Sequence, residues 1–201
     1  MKKLFLLLAV VAISLQSFAG QPYKAGDYAT DFNLKNLDGK MVSLSQYDNA
    51  KGFIVVFSCN VCPVVIKYED RIKELHKEYS GKGYPVVAIN SNDPSVSPGD
   101  SYDAMKKHAK KNGYEFEYLY DESQDVAKTY GATNTPHVYL LSKSEGKLRV
   151  EYVGAIDNNA DNGAAADKKY LADALNNLLK GEKPPVTATK AVGCGIKWKK
   201  G

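Results

Sequence analysis

Between residues 52 and 58 the chain is almost continuously apolar, and Phe53-Ile54-Val55-Val56-Phe57 carries no polar interruption. A run of β-branched and aromatic residues of that length predicts a buried strand. From Pro63 the pattern changes to a stripe: Val65, Ile66, Tyr68, Ile72, Leu75 and Tyr79 predict an amphipathic helix over about 63–79, stopped by Gly81 and Gly83. Upstream, Phe32-Asn33-Leu34 and Met41-Val42-Ser43-Leu44 alternate on either side of Asp38-Gly39, the pattern of an edge hairpin. Downstream, Pro85 to Asn90 predicts a second buried strand, a loop carries Pro94 and Pro98, and a short basic helix covers about 101–111. Phe116 to Tyr120 alternates as a strand, about 123–130 forms a short helix closed by Gly131, and His137–Leu141 with Lys147–Val153 makes a strand pair. The polar, alanine-rich stretch 157–166 predicts no element. A last amphipathic helix, about 168–179, precedes Pro184-Pro185 and a basic tail. The order β-β-α-β-α-β-α-β-β-α predicts an α/β class domain.

Length and composition narrow this further. With 201 residues and 44% hydrophobic content, one core is expected, in a single domain over residues 20–185 followed by a tail, 186–201. The net charge of +4 falls to +2 without Lys2 and Lys3, and the remaining acids and bases are mostly interspersed. That argues against a nucleic-acid groove, and no glycine-rich phosphate-binding motif is present. Residues 1–19 read as a signal peptide: Lys2 and Lys3, then apolar Leu4 to Ile13, then Ser17-Phe18-Ala19 as a small-x-small cleavage site. The apolar run is short for a bilayer span, so an exported protein, periplasmic or secreted and with no stable membrane insertion after cleavage, is expected over one held by an uncleaved anchor. Export places cysteines where disulfides persist.

The chemistry is concentrated where the strand pattern gives way to the helix pattern. Cys59 and Cys62 are spaced C-x-x-C directly after the strand, and Pro63 suits the first helical turn, where its missing N–H costs nothing. The spacing brings two sulfurs within bonding reach, and a helix N-terminus favours a thiolate. Cys59 is therefore expected as the attacking thiol and Cys62 as the resolving one. A structural disulfide or a pair of core cysteines is the plain alternative. Zinc is disfavoured, because His76, His108, His137 and Cys194 are scattered. Cys194 is left over from the pair, as a distal resolving cysteine or as a thiol packed near Trp198. The cluster Tyr68-Glu69-Asp70-Arg71 is expected to make local pairs on the helix face, and His76 and His108 to be solvated.

The segments GDYATDFNLKNLDGKMVSLSQY, FSCNVCPVVIKYEDRI, VVAINSNDP, YLYDESQDVAKTYGA, TNTPHVYLL and GCGIKWKK span most of residues 23–201. In that order they resemble the thioredoxin fold, and within it the redoxin branch with the alkyl hydroperoxide reductase/thiol-specific antioxidant family. The resemblance implies a central mixed β-sheet flanked by helices, with the N-terminal hairpin as an extension. It also implies a cis bond at Thr135-Pro136 packed against the cysteine pair, with the Thr135 backbone free to pair with an extended substrate segment. The implied activity is thiol–disulfide exchange with protein substrates and a protein redox partner, without an organic cofactor. Cys62-Pro63 also resembles the Val-Cys-Pro of peroxide-reducing relatives, which makes Cys62 the attacking sulfur of a thiol peroxidase. The chain departs from thioredoxin at Ser58 and Asn60-Val61, and from the redoxins at His137 and Ala155. A Cys59, Cys62 and His137 set suits Cu(I), the third reading, whereas an ordinary strand histidine is the plainer account of His137.

Overall fold

The computed structural model describes residues 21–200; the predicted signal peptide lies outside the described residues. The apolar run forms the central strand β4 (Gly52–Ser58), buried along its whole length. It lies parallel to β5 (Val86–Asn90) on one side and antiparallel to β8 (His137–Ser144) on the other. The parallel half continues to β6 (Glu117–Tyr120), and β8 turns back into β9 (Lys147–Gly154). The predicted hairpin is β2 (Leu34–Asn36) with β3 (Met41–Val42), and it joins the edge of β6. A strand not foreseen, β1 (Tyr28–Ala29), covers the opposite edge at β9. The sheet order is β1-β9-β8-β4-β5-β6-β2-β3.

Side chains of β4 alternate between two cores, as the pleat requires. Phe53, Val55 and Phe57 face a cluster with Leu44, Tyr130, Tyr139 and Leu141, whereas Ile54 and Val56 face the helices α1 (Pro63–Tyr79) and α4 (Tyr170–Leu179). α1 buries Val65, Tyr68, Ile72, Leu75 and Tyr79, a single stripe. Ile66, predicted in that stripe, is 51% exposed, because its position in the helical repeat falls beside the buried face. α2 (Tyr102–Asn112) packs Met105 against Ala88 and Tyr118, and α3 (Asp125–Tyr130) buries Ala127 and Tyr130.

Several local expectations give way to longer-range contacts. The stretch 157–166 is ordered around Arg71, which donates to the Asp157 carboxylate at 2.6 Å and to the carbonyls of Asn159 and Ala160 at 2.7 and 2.6 Å. Tyr68 donates to the same carboxylate at 2.8 Å, and Glu69 meets His108 and the Tyr114 hydroxyl. The cluster expected to pair locally does so in part: Asp70 meets Lys73, and Arg71 lies over the Tyr68 ring at 3.9 Å and donates to the Lys67 carbonyl at 3.2 Å. His108 is therefore tied to α1, and His76 accepts the Val86 N–H at 3.2 Å, so neither is a solvated helix residue.

The tail is docked. Ala188 bridges to Val153, and β10 (Cys194–Gly195) pairs antiparallel with β7 (Asn134–Thr135) in a separate two-stranded ribbon. Ile196 is buried in the core next to the sheet.

Candidate functional site

The site forms where β4 hands over to α1. Cys62 is the N-cap of α1, with extended backbone, and its carbonyl accepts the Ile66 N–H at 3.0 Å. The positive end of the helix therefore bears on Cys62. Val64-Val65-Ile66 are weak helix formers, and the first turn is held by packing: Val65 is fully buried against both Cys59 and Cys62.

Opposite the turn, Thr135 and Pro136 are joined by a cis peptide bond. Thr135 touches both sulfurs: its Oγ1 lies 3.2 Å from Cys59 Sγ, and its carbonyl oxygen 3.3 Å from Cys62 Sγ. The third cysteine completes the group. Cys62 and Cys194 form a disulfide with Cα atoms 5.9 Å apart, across a separation of 132 residues. Cys59 remains a thiol.

In this structure the disulfide joins Cys62 to Cys194, the distal resolving place left open for Cys194, and the remaining thiol is Cys59. The Cys59 thiol, expected as the attacking one, is not acidified. Cys59 is only 1% exposed, and burial pushes its pKa above the ordinary value; Thr135 lowers it, and the Asp100 charge raises it again. The sulfur that sits on the helix N-terminus is Cys62, one residue before Pro63, and Cys59 lies beneath.

A buried polar network shapes the turn from behind. The Asn60 N–H donates to Asp100 Oδ1 at 2.6 Å, its side-chain amide donates to the Gly99 carbonyl at 2.8 Å, and its Oδ1 accepts from the Tyr118 hydroxyl at 2.9 Å. Asn92 and Ser97 donate to the other Asp100 oxygen at 2.8 and 2.6 Å. These residues carry no local sequence signal: Asp100 lies 40 positions from Asn60, and the fold alone brings them together. The hint available was Asn60 itself, a polar side chain inside the C-x-x-C.

His137 opens β8 opposite Phe57, with its ring beside Tyr139. Burial holds its pKa down, to about 4, so the ring is neutral. Its Nδ1 accepts from the Thr133 N–H at 3.4 Å. Among the described residues, no three His, Cys, Asp or Glu side chains are grouped to hold a metal ion. Cys59, Cys62 and His137 are not grouped as a ligand set in this structure: Cys62 is bonded to Cys194, and His137 accepts the Thr133 N–H.

The AhpC/TSA family model matches residues 25–157. Among curated proteins, the chain is similar to the thiol-disulfide oxidoreductase ResA of Halalkalibacterium halodurans, with 24% identity over 74% of this chain and 84% of that protein. It is also similar to the chloroplastic peroxiredoxin Q of Populus jackii, 27% identical over 53% of this chain and 46% of that one. Among solved structures, an uncharacterised conserved protein from Geobacillus kaustophilus superposes with TM-score 0.81 and 38% identity, covering 88% of this chain and 93% of that one. A hypothetical protein from Sinorhizobium meliloti 1021 gives TM-score 0.82 and 34% identity over 90% and 98%. The fold is thioredoxin-like, as the resemblance of the sequence implied.

Proposed function

The chain belongs to the AhpC/TSA family, and from that premise we propose that it is a thiol–disulfide oxidoreductase in which Cys62 is the exchanging sulfur. The observation that carries this reading is the Cys62–Cys194 disulfide seated on Thr135 beside the free thiol of Cys59. The similarity to the thiol-disulfide oxidoreductase ResA supports the same reaction. In the reducing direction, the Cys62 thiolate attacks one sulfur of a substrate disulfide and releases the other as a thiol. A second protein thiol, of Cys194 or Cys59, then attacks Cys62, freeing the second substrate thiol and closing an internal disulfide. Two electrons and two protons pass to the substrate, and an external dithiol restores the enzyme. The substrates are protein thiols and disulfides, and the electron donor or acceptor is a protein partner. Cys59, Cys62, Thr135, Pro136 and Cys194 form the working site. Neutral His137, held in β8, serves structure.

The test is dithiol-driven reduction of insulin. Cys62→Ser abolishes turnover, whereas Cys59→Ser and Cys194→Ser each lower it; turnover retained in Cys62→Ser overturns the assignment. A second reading, thiol peroxidase, is favoured by Cys62-Pro63 at the helix start with a distal partner cysteine. There Cys62 takes an oxygen from a hydroperoxide, leaving an alcohol, and Cys194 condenses with the sulfenic acid, expelling water. Negligible hydroperoxide consumption with a thiol donor dismisses it. The protein acts outside the cytoplasm on this reading. N-terminal sequencing of the mature protein checks it, with Gly20 expected as the first residue; a retained Met1 counts against export.

A further inference from the structure

We propose that the tail segment Gly193–Lys199 is an internal substrate: it occupies the strand-pairing place beside Thr135 and screens Cys62 from protein substrates until Cys194 is released. The inference rests on the thiol–disulfide reading above and concerns who reaches that site.

The tail meets the site as a peptide strand would. Cys194 is opposite Thr135 and Gly195 opposite Asn134 in antiparallel register, and the ladder is extended by the Ile196 N–H donating to the Thr133 carbonyl at 3.0 Å. Asn134 donates from its amide to the Gly193 carbonyl at 3.1 Å. This is strand addition, with main-chain bonds giving affinity and a pocket giving selectivity. The pocket takes Ile196, and Gly193 lets the backbone pass: a Cβ there would strike the Thr135 carbonyl. Cys194 is delivered to Cys62 as a substrate cysteine would be.

Beyond the ribbon, the rest of the segment is received by two side chains, Asn92 and Gln124, and by the Asp93 main chain, all of which read its backbone alone. The Lys197 N–H donates to Asn92 Oδ1 at 2.8 Å, and its carbonyl accepts from the Asp93 N–H at 2.8 Å and from the Gln124 amide at 2.9 Å. Gln124 Oε1 accepts the Lys199 N–H at 2.9 Å. Gln124 is itself buried, so its amide is spent on Ser91 and the tail. The receptor is therefore built, and its occupant is the chain's own end.

The hold is also limited. One residue of the segment is buried, Ile196, while Trp198 is 39% exposed. The disulfide is the strongest link, and opening it leaves a short strand that a substrate strand can displace. An intramolecular occupant competes at high effective concentration, so its removal is the step that admits large substrates. When the incoming substrate is a protein dithiol, Cys59 supplies that step without outside electrons; a protein disulfide needs Cys62 as a free thiolate, which an external dithiol provides. In the internal step the Cys59 thiolate attacks Cys62 Sγ; the Cys59–Cys62 bond forms, the Cys62–Cys194 bond breaks, and Cys194 takes up the proton that Cys59 gave.

Trp198 is the only tryptophan of the chain and lies in the segment, so its fluorescence reports the docking directly. In the full-length protein, reduction by dithiothreitol shifts its emission to the red and lowers its anisotropy. Identical emission and anisotropy in the oxidised and reduced protein overturn the proposal. The second arm compares insulin with hydroxyethyl disulfide, a substrate too small to need the strand site. Gly193→Ala raises the insulin-to-small-disulfide rate ratio about tenfold, the equivalent of a pair of backbone hydrogen bonds. An unchanged ratio in an active enzyme overturns the screening alone, whereas exchange with neither substrate overturns the oxidoreductase reading and this one with it.

Discussion

Cys59 and Cys62 have the same side chain three positions apart, and their surroundings give them different chemistry. Cys62 caps α1 and carries the disulfide, while Cys59 is buried among Thr135, Val65 and the field of Asp100. In the oxidised protein Cys59 is the free thiol, so alkylation by iodoacetamide reads its ionisation directly. Its pH midpoint is expected above the ordinary thiol value, and Asp100→Asn is expected to lower that midpoint by removing the charge. A midpoint that stays or rises in the variant contradicts the role given to Asp100. His137 offers a second check. Its pKa in the folded protein is about 4, against 6.5 when free, so the unfolded chain binds the extra proton first as pH falls. Stability from neutral His137 is present above pH 6.5 and is lost progressively towards pH 4. At pH 4.5 the loss is about 2–3 kcal/mol. Urea unfolding at pH 7 and 4.5 measures it, and His137→Gln, which keeps an acceptor for the Thr133 N–H, is expected to shrink the difference by about that amount.

At the scale of elements, α1 shows how far a periodic pattern reaches. Its limits and five of its six predicted inward positions follow from spacing alone, because a helix repeats on neighbouring residues. Ile66 and Ile72 look alike in that pattern, yet one is 51% and the other 3% exposed. Ile72→Ala is expected to cost about 2–5 kcal/mol in urea unfolding. Ile66→Ala is expected to stay within about 0.5 kcal/mol. Equal costs would mean that the helix is rotated from the orientation described. The polar partners of α1 were not legible in the same way. Arg71 finds the expected neighbours on its own helix, Tyr68 and the Lys67 carbonyl, but its carboxylate partner sits on the 157–160 loop, and Glu69, expected to pair on its own helix, meets His108 on α2. A charged side chain specifies its partner through the fold, not through spacing.

For the whole molecule, two long connections set the geometry. Arg71 ties the segment before α4 to α1, with Asp157 5% and Arg71 16% exposed in their side chains. Arg71→Leu leaves that carboxylate without its cation, though Tyr68 still donates to it, and the Asn159 and Ala160 carbonyls without their donor. The expected loss is about 3 kcal/mol or more in urea unfolding, because the remaining charge is buried unpaired. A change under about 0.5 kcal/mol would show that the loop finds other donors. The second connection is the tail, which pairs with β9 at Ala188, with β7 at Cys194, and with Asn92 and Gln124 beyond. It makes the end of the chain part of the site.

The strand, the C-x-x-C, the helix behind it and the α/β order are all carried by residues close together, since hydrophobic period and turn residues act over a few positions. The sequence by itself therefore determined the scaffold and put two sulfurs at the head of α1. Which sulfur is paired was decided by tertiary structure. Cys194 reaches Cys62 only because the tail adds a strand to Asn134–Thr135, and Cys59 is a hindered thiol only because Asp100, Thr135 and Val65 close over it. Burial, strand addition and the field of a distant carboxylate depend on where the whole chain packs, and no local run of letters encodes them.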